Sequence, residues 1–174
     1  MDVAPVETPR LLLRLPEAND AAPFLEIHQD PEAIERKQVV LVAPLGEIEV
    51  ALRNVSRMRD HWELRGYGQW AVVEKATGDV IGCVGLHYLE RWPEIDLSWI
   101  VHRARRGNGL ATEACEGTLQ WAWKTSTIDH VISLIASDNL PSIRIAIKIG
   151  ATFERSGVHP FSGDKVDIYG IRRP

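Results

Sequence analysis

Apolar residues change their period several times along this chain, and each change marks a predicted element. Residues 11–15 form a short apolar run broken only by Arg14 and ended by Pro16, which predicts a strand. Asn19 or Asp20 then stands where a cap belongs, ahead of a helix over residues 21–28. A second helical pattern covers residues 47–62 behind the Pro44-Leu45-Gly46 turn, with Val50, Val55, Met58 and Trp62 at roughly helical spacing. Between residues 69 and 90 the period becomes extended, and two apolar runs, 70–74 and 80–86, flank a hairpin turn at 75–79. Residues 94–101 alternate apolar and polar positions, as a third member of an antiparallel meander would.

The second half returns to helical spacing after a glycine-rich turn. Leu110, Ala114, Thr118 and Ala122 form one stripe with Ala111, Cys115 and Leu119 beside it, and these small residues allow close packing. A β-branched run at 131–135 predicts a strand. Asn139-Leu140-Pro141-Ser142 has the chemistry of a helix start, and Gly150 closes that helix after residues 143–149. Residues 153–159 and 165–171 are terminal strands around a turn at 160–164. The order is strand, two helices, three strands, helix, strand, helix, two strands, which is a mixed α+β chain without internal repeats.

Composition bounds the setting. With 174 residues and 45% hydrophobic content, the whole chain, 1–174, is expected to be one domain with a sizeable core. A net charge of -4 argues against general nucleic-acid binding, while the basic cluster at 102–106 can still meet a small anion. Only two cysteines, Cys83 and Cys115, occur, both within apolar patterns, so a reducing, cytoplasmic compartment is expected and Cys115 reads as packing. No apolar run has the length of a membrane span or the form of an export signal. The six histidines show no metal-ligand spacing, which predicts no metal.

The chemistry concentrates at Arg105-Arg106-Gly107-Asn108-Gly109-Leu110-Ala111. Glycines at 107 and 109 leave backbone N–H groups uncovered, and a helix start adds free donors and a positive dipole end, so an anion fits there. A plain strand-to-helix turn with Arg106 solvated satisfies the same spacing. No Lys-Ser or Lys-Thr follows Gly109, which argues against a nucleotide-triphosphate site.

These residues carry a family resemblance. Arg106, Gly109 and Ala111, with Val101 five residues before Arg106, match the acyl-CoA pyrophosphate signature, and the chain resembles the GNAT N-acetyltransferase superfamily. More narrowly it resembles the RimJ/RimL-like branch. The matches are Thr8-Pro9-Arg10-Leu11-Leu12-Leu13-Arg14 as the opening strand and Asp30-Pro31-Glu32 as the first-helix exit. Trp70 with Thr77-Gly78-Asp79-Val80-Ile81-Gly82 matches the central hairpin, and Ala111-Thr112-Glu113-Ala114 the helix after the glycine turn. Asn139, Ser142, Lys148 and Gly150 match the late helix. The implied fold is a central, twisted, mostly antiparallel sheet of about seven strands flanked by about four helices.

The resemblance also implies acetyl transfer from acetyl-CoA, without a metal, to an amine acceptor in a ternary complex. Backbone groups of Arg106, Gly107, Asn108, Gly109, Leu110 and Ala111 would hold the pyrophosphate, with Arg103 or Arg105 adding charge. Trp99, Ile100 and Val101 would pair with the pantetheine arm and supply an oxyanion donor. Asp96 is the candidate base, with a solvent-facing strand residue alternating with Ile95 and Leu97 as the other reading, and Glu94 and His102 as lesser candidates. Ala146 stands where many members carry an acidic Tyr, leaving Ser142 as the candidate acid or thiolate donor, or else a first-turn helix residue. Asn139 is a pantetheine contact or a helix cap, and Trp62, Trp92 and Tyr67 are pocket or packing residues. The acceptor is expected to be a ribosomal-protein N-terminus or a small-molecule amine, and the chain a monomer or homodimer contacting neither nucleic acid nor membrane. The alternative is a noncatalytic acyl-CoA-binding module.

Overall fold

The computed structural model describes residues 3–31 and 48–174. The expected Pro44-Leu45-Gly46 turn, Glu47 at the start of the second helix and Glu32 at the exit of the first lie outside the described residues. The elements run β1 (Val6–Glu7), β2 (Leu11–Arg14), α1 (Ala21–His28), α2 (Ile48–Arg65), β3 (Gln69–Glu74), β4 (Val80–His87) and β5 (Asp96–Val101). After these come α3 (Leu110–Thr125), β6 (His130–Ala136), α4 (Leu140–Lys148), β7 (Thr152–Val158) and β8 (Lys165–Arg172). The eight strands among the described residues form one sheet in the order β1-β2-β3-β4-β5-β6-β8-β7. Every pairing is antiparallel except β5 with β6.

One strand more than expected appears because the opening motif folds back on itself. Thr8-Pro9-Arg10 is a turn and not the start of the strand. The Thr8 N–H donates to Leu11 O at 2.9 Å, and the Leu11 N–H donates to Thr8 Oγ1 at 3.0 Å. Proline, with its fixed φ and missing donor, suits such a turn. Asp20 occupies the cap position of α1 as its place predicts, yet its carboxylate is spent elsewhere. It takes both Arg14 guanidinium nitrogens at 2.7 Å and the Glu17 N–H at 2.7 Å.

Alternation along the strands sends side chains to two cores. On one face Leu11, Leu13, Val72, Val84, Leu86 and Leu97 meet the α3 stripe of Leu110, Ala114, Cys115, Leu119 and Ala122. On the other, Ala71, Cys83 and Ile100 meet Phe24 and Ile27 of α1 and Ala51 and Val55 of α2. The small residues of α3 do permit close approach: a Cβ at Gly117 would lie 2.9 Å from Thr8 Cγ2. Trp62 belongs to the first core rather than to a pocket. Its ring lies 4.3 Å from Trp70 and 5.2 Å from Trp121, and its indole N–H donates to Gln69 O at 2.9 Å.

Candidate functional site

The one parallel pairing opens the sheet. β5 and β6 are in register at Asp96 and Ile132, where the Ile132 N–H donates to Ile95 O at 2.9 Å. One step on, a side chain replaces the ladder, with Ser133 Oγ donating to Leu97 O at 2.7 Å. Beyond it no β5–β6 pair follows among the described residues. Main-chain direction alternates along a strand, and two bonds fix the parity. Leu97 O points toward β6, while the His102 N–H points the other way and donates to Ile81 O at 2.7 Å. The main-chain groups of Trp99 and Val101 therefore face the gap, and those of Ile100 face β4.

At the carboxyl end of β5 the glycine turn leads into α3. Gly107 and Gly109 have φ of 79° and 77°, conformations an L side chain rarely adopts, and Gly109 caps α3. The main-chain N–H groups of Gly107, Asn108, Gly109, Leu110, Ala111 and Thr112 have no acceptor among the described residues, and the first turn bond is Glu113 N–H to Gly109 O at 3.0 Å. Such a run of donors at a helix N-terminus is a receptor for phosphate oxygens.

The arginines are not placed as solvated charge. Arg106 folds back, its Nε donating to Val101 O at 3.1 Å and its Nη2 bonding Asp30, so it staples the turn to the strand end and to the exit of α1. Arg105 is held by Glu74 at 2.8 Å and Asp79 at 3.4 Å on the β3–β4 hairpin. A residue the pattern did not reveal also holds the turn. Arg10 Nη1 donates to Asn108 O at 2.9 Å, and Arg10 Nε, the Arg10 N–H and Thr8 Oγ1 all converge on the Glu113 carboxylate at 2.6 to 2.8 Å. Two motifs a hundred residues apart are thus one assembly, a pairing that spacing along the chain cannot announce.

The second helix N-terminus faces the same gap from the carboxyl end of β6. Asn139 Oδ1 accepts the Ser142 N–H at 3.3 Å, so the helix-cap reading of Asn139 is realised. The cap uses the backbone of Ser142 and leaves its hydroxyl uncommitted among the described residues. Ala146 is fully buried one turn on.

At the opposite end of β5, Asp96 is only 4% exposed. This overturns the solvent-facing reading. The cause lies in the parted ladder: Asp96 Oδ1 accepts the Leu134 N–H at 3.0 Å, so the carboxylate takes a strand donor that β5 no longer meets. Burial pushes its pKa up to about 7, against the lowering pull of the Leu134 N–H and the Trp92 indole. The buried Trp92 Nε1–H is close enough to Asp96 to exert that pull but does not meet the geometry of a hydrogen bond to it or to any other described residue.

The lesser candidates are committed elsewhere. Glu94 bonds His130 at 2.7 Å and Arg155 at 2.8 Å, and although burial raises its pKa, these donors bring it below the usual range. His102 lies about 20 Å along the strand from Asp96 and bonds Glu26 at 3.1 Å. Burial raises the Cys83 thiol to about 12 and the Cys115 thiol well above its ordinary value, so both pack as apolar groups. Among the described residues no cluster suited to a metal ion occurs, and no helix is long and apolar enough to cross a membrane.

Known proteins share this fold. Residues 10–152 match the family model of the acetyltransferase (GNAT) domain. An uncharacterized N-acetyltransferase, p20 of Bacillus licheniformis, is 23% identical over 168 residues, 93% of this chain and 91% of its own length. An acetyltransferase from Agrobacterium tumefaciens str. C58 has a similar structure, with a TM-score of 0.82 at 21% identity over 99% of this chain and 96% of that one. RimL, a ribosomal L7/L12 alpha-N-protein acetyltransferase in complex with coenzyme A, gives a TM-score of 0.80 at 14% identity over 97% and 98%.

Proposed function

The chain belongs to the GNAT acetyltransferase family and is an acetyl-CoA-dependent acetyltransferase; from that premise we propose that its acceptor is a primary amine, a protein N-terminal α-amine or a small-molecule amine, attacking acetyl-CoA directly in a ternary complex. The observation that supports the cofactor's placement is the run of N–H groups at Gly107, Asn108, Gly109, Leu110, Ala111 and Thr112 that have no acceptor among the described residues. It fits a pyrophosphate without any side-chain cation, which suits a site where Arg106 and Arg105 are already paired. The pantetheine arm lies in the β5–β6 gap against the main-chain edge of Trp99 and Val101, between the glycine turn and Asn139, while Ile100, turned to β4, offers it no main-chain group.

The chemistry then needs a neutral amine and a proton for the departing sulfur. Asp96, with a pKa of about 7, takes the ammonium proton through water. An α-amine at about 7.7–8.0 suits such a base far better than a lysine at about 10.4. The amine lone pair forms the N–C bond, the C–S bond breaks with its electrons going to sulfur, and the second amine proton leaves nitrogen to water as the intermediate collapses; the thiolate is protonated by solvent directly or by Ser142 Oγ, which regains its proton from solvent. A backbone N–H on the β5 edge stabilises the carbonyl oxygen as charge develops.

A RimJ/RimL-like acceptor, a ribosomal-protein N-terminus, is the first candidate to test. Incubation with isotopically labelled acetyl-CoA and a panel of ribosomal proteins, α-amino peptides and small amines, read by mass spectrometry, should place label on α-amines or small primary amines. Label confined to lysine side chains would overturn the acceptor class.

A further inference from the structure

The sheet face that packs on α1 and α2 carries a half-buried polar row leading to the buried Asp96. Strand register sets Gln69, Gly85 and Ser98 side by side across β3, β4 and β5, with His87 opposite Asp96 in the next row on the same face. Because position 85 has no side chain, Gln69 reaches across β4, two strand spacings or about 10 Å, and its Nε2 donates to Ser98 Oγ at 2.8 Å. No larger residue fits at 85, since a Cβ would lie 2.3 Å from Gly68 O.

The row also bears on which nitrogen of His87 carries the proton. Ser98 Oγ lies 3.2 Å from His87 Nδ1, and among the described residues the serine hydrogen has no other acceptor. With the serine hydrogen directed at the ring, Nδ1 accepts and the ring proton is on Nε2, the nitrogen that faces Asp96 Oδ2 at 3.5 Å. Oδ1 is already held by the Leu134 N–H. At 3.5 Å the two atoms stand at the limit of contact without a formed hydrogen bond, and an ionised carboxylate would draw the N–H into a shorter, charge-assisted one.

We propose that His87 is a positioning residue for acetyl transfer, a neutral Nε2–H donor fixed by Gln69 and Ser98 that orients Asp96 Oδ2 and stabilises its charged form. The inference rests on Asp96 as the base. His61 of α2 and His159 beyond β7 face His87 as well, and Trp92 covers it with ring centroids 5.4 Å apart. Burial first, then these two histidines, push the His87 pKa down to about 4, so the ring stays neutral while Asp96 titrates. A cation at 87 would pull Asp96 back toward an ordinary carboxylate and leave it a weak base. An apolar residue would leave the carboxylate short of a donor and raise its pKa further.

Nuclear magnetic resonance of the full chain, with histidine ring nitrogens and aspartate carboxyl carbons labelled, tests this without any acceptor. The wild type should show His87 neutral from pH 5 to 9 with its proton on Nε2. His87→Met should raise the Asp96 midpoint by about one pH unit, and His87→Gln, which keeps an N–H donor, should restore it in part. Ser98→Ala and Gln69→Met, two and three contacts from the carboxylate, should let the His87 proton populate both nitrogens. A wild-type proton on Nδ1, or the same Asp96 midpoint in His87→Met, would overturn the proposal. The base reading is tested separately by thiol release from acetyl-CoA with a mixture of α-amino peptides. Full turnover in Asp96→Asn would end that reading and leave the titration results standing.

Discussion

Burial removes solvent from the Asp96 carboxylate, and the sign of that penalty dictates how stability varies with pH. The folded pKa of about 7 lies above the unfolded value of about 3.9. The folded chain thus holds an extra proton between those values, and stability is full below about pH 4 and lost as pH rises toward 7. Asp96→Asn keeps an oxygen for the Leu134 N–H and removes the charge. It should raise stability relative to wild type at pH 8 by a few kcal/mol in order of magnitude, with little difference at pH 4, while turnover drops. Thermal melts at both pH values decide this, and an equal shift at each would show that burial is not the cause. Ser142→Ala leaves the cap intact, because Asn139 holds the Ser142 main chain and not its hydroxyl. It should lower turnover roughly tenfold, below the usual range for a general acid, with unchanged acetyl-CoA affinity. Unaltered turnover would leave Ser142 a helix residue and give the proton to solvent.

The N-terminus of α3 performs its role as an element, through donors that no single side chain supplies. A change at Gly109 both crowds the phosphate site and strains a backbone held at φ 77°, so Ala111 is the cleaner position. Ala111→Asp places a negative charge in the first helical turn, where it favours the helix by about 0.3–1 kcal/mol and repels a pyrophosphate. Calorimetry should find acetyl-CoA binding lost in a protein that melts no earlier than wild type. Retained binding would move the cofactor away from this turn. The glycine positions, the basic flank and the helix start were all legible in the sequence. The commitment of Arg106 to Val101 O and Asp30, and of Arg105 to Glu74 and Asp79, was not. Those partners come from other elements, and a one-dimensional pattern shows a cation without showing its acceptor.

Across the whole molecule the opening residues serve the site from a distance. Glu113 of α3 collects Thr8 Oγ1, the Arg10 N–H and Arg10 Nε, so its loss strands several donors at once. Glu113→Ala should lower stability by about 1–3 kcal/mol at pH 7. Burial raises the Glu113 pKa, but Thr8 and Arg10 outweigh it and hold the carboxyl below the usual range. The contribution of this tie is therefore present above the unfolded value of about 4.3 and lost as pH falls through the folded one. Denaturant titrations at pH 7 and pH 3 should show the deficit narrowing in acid, and a deficit unchanged at pH 3 would assign it to packing. The sequence by itself determined the element order apart from β1, the pyrophosphate signature at Arg106, Gly109 and Ala111, and the helix start at Asn139, because periodicity, glycine and cap chemistry act within a few residues. Only the tertiary structure decided that Asp96 is buried, that Trp62 is core, and that Gln69, Ser98 and His87 line up behind the carboxylate. Each of these depends on strand register and on the parting of β5 from β6, where contacts join residues far apart in the chain and alternation alone cannot say which neighbour is missing.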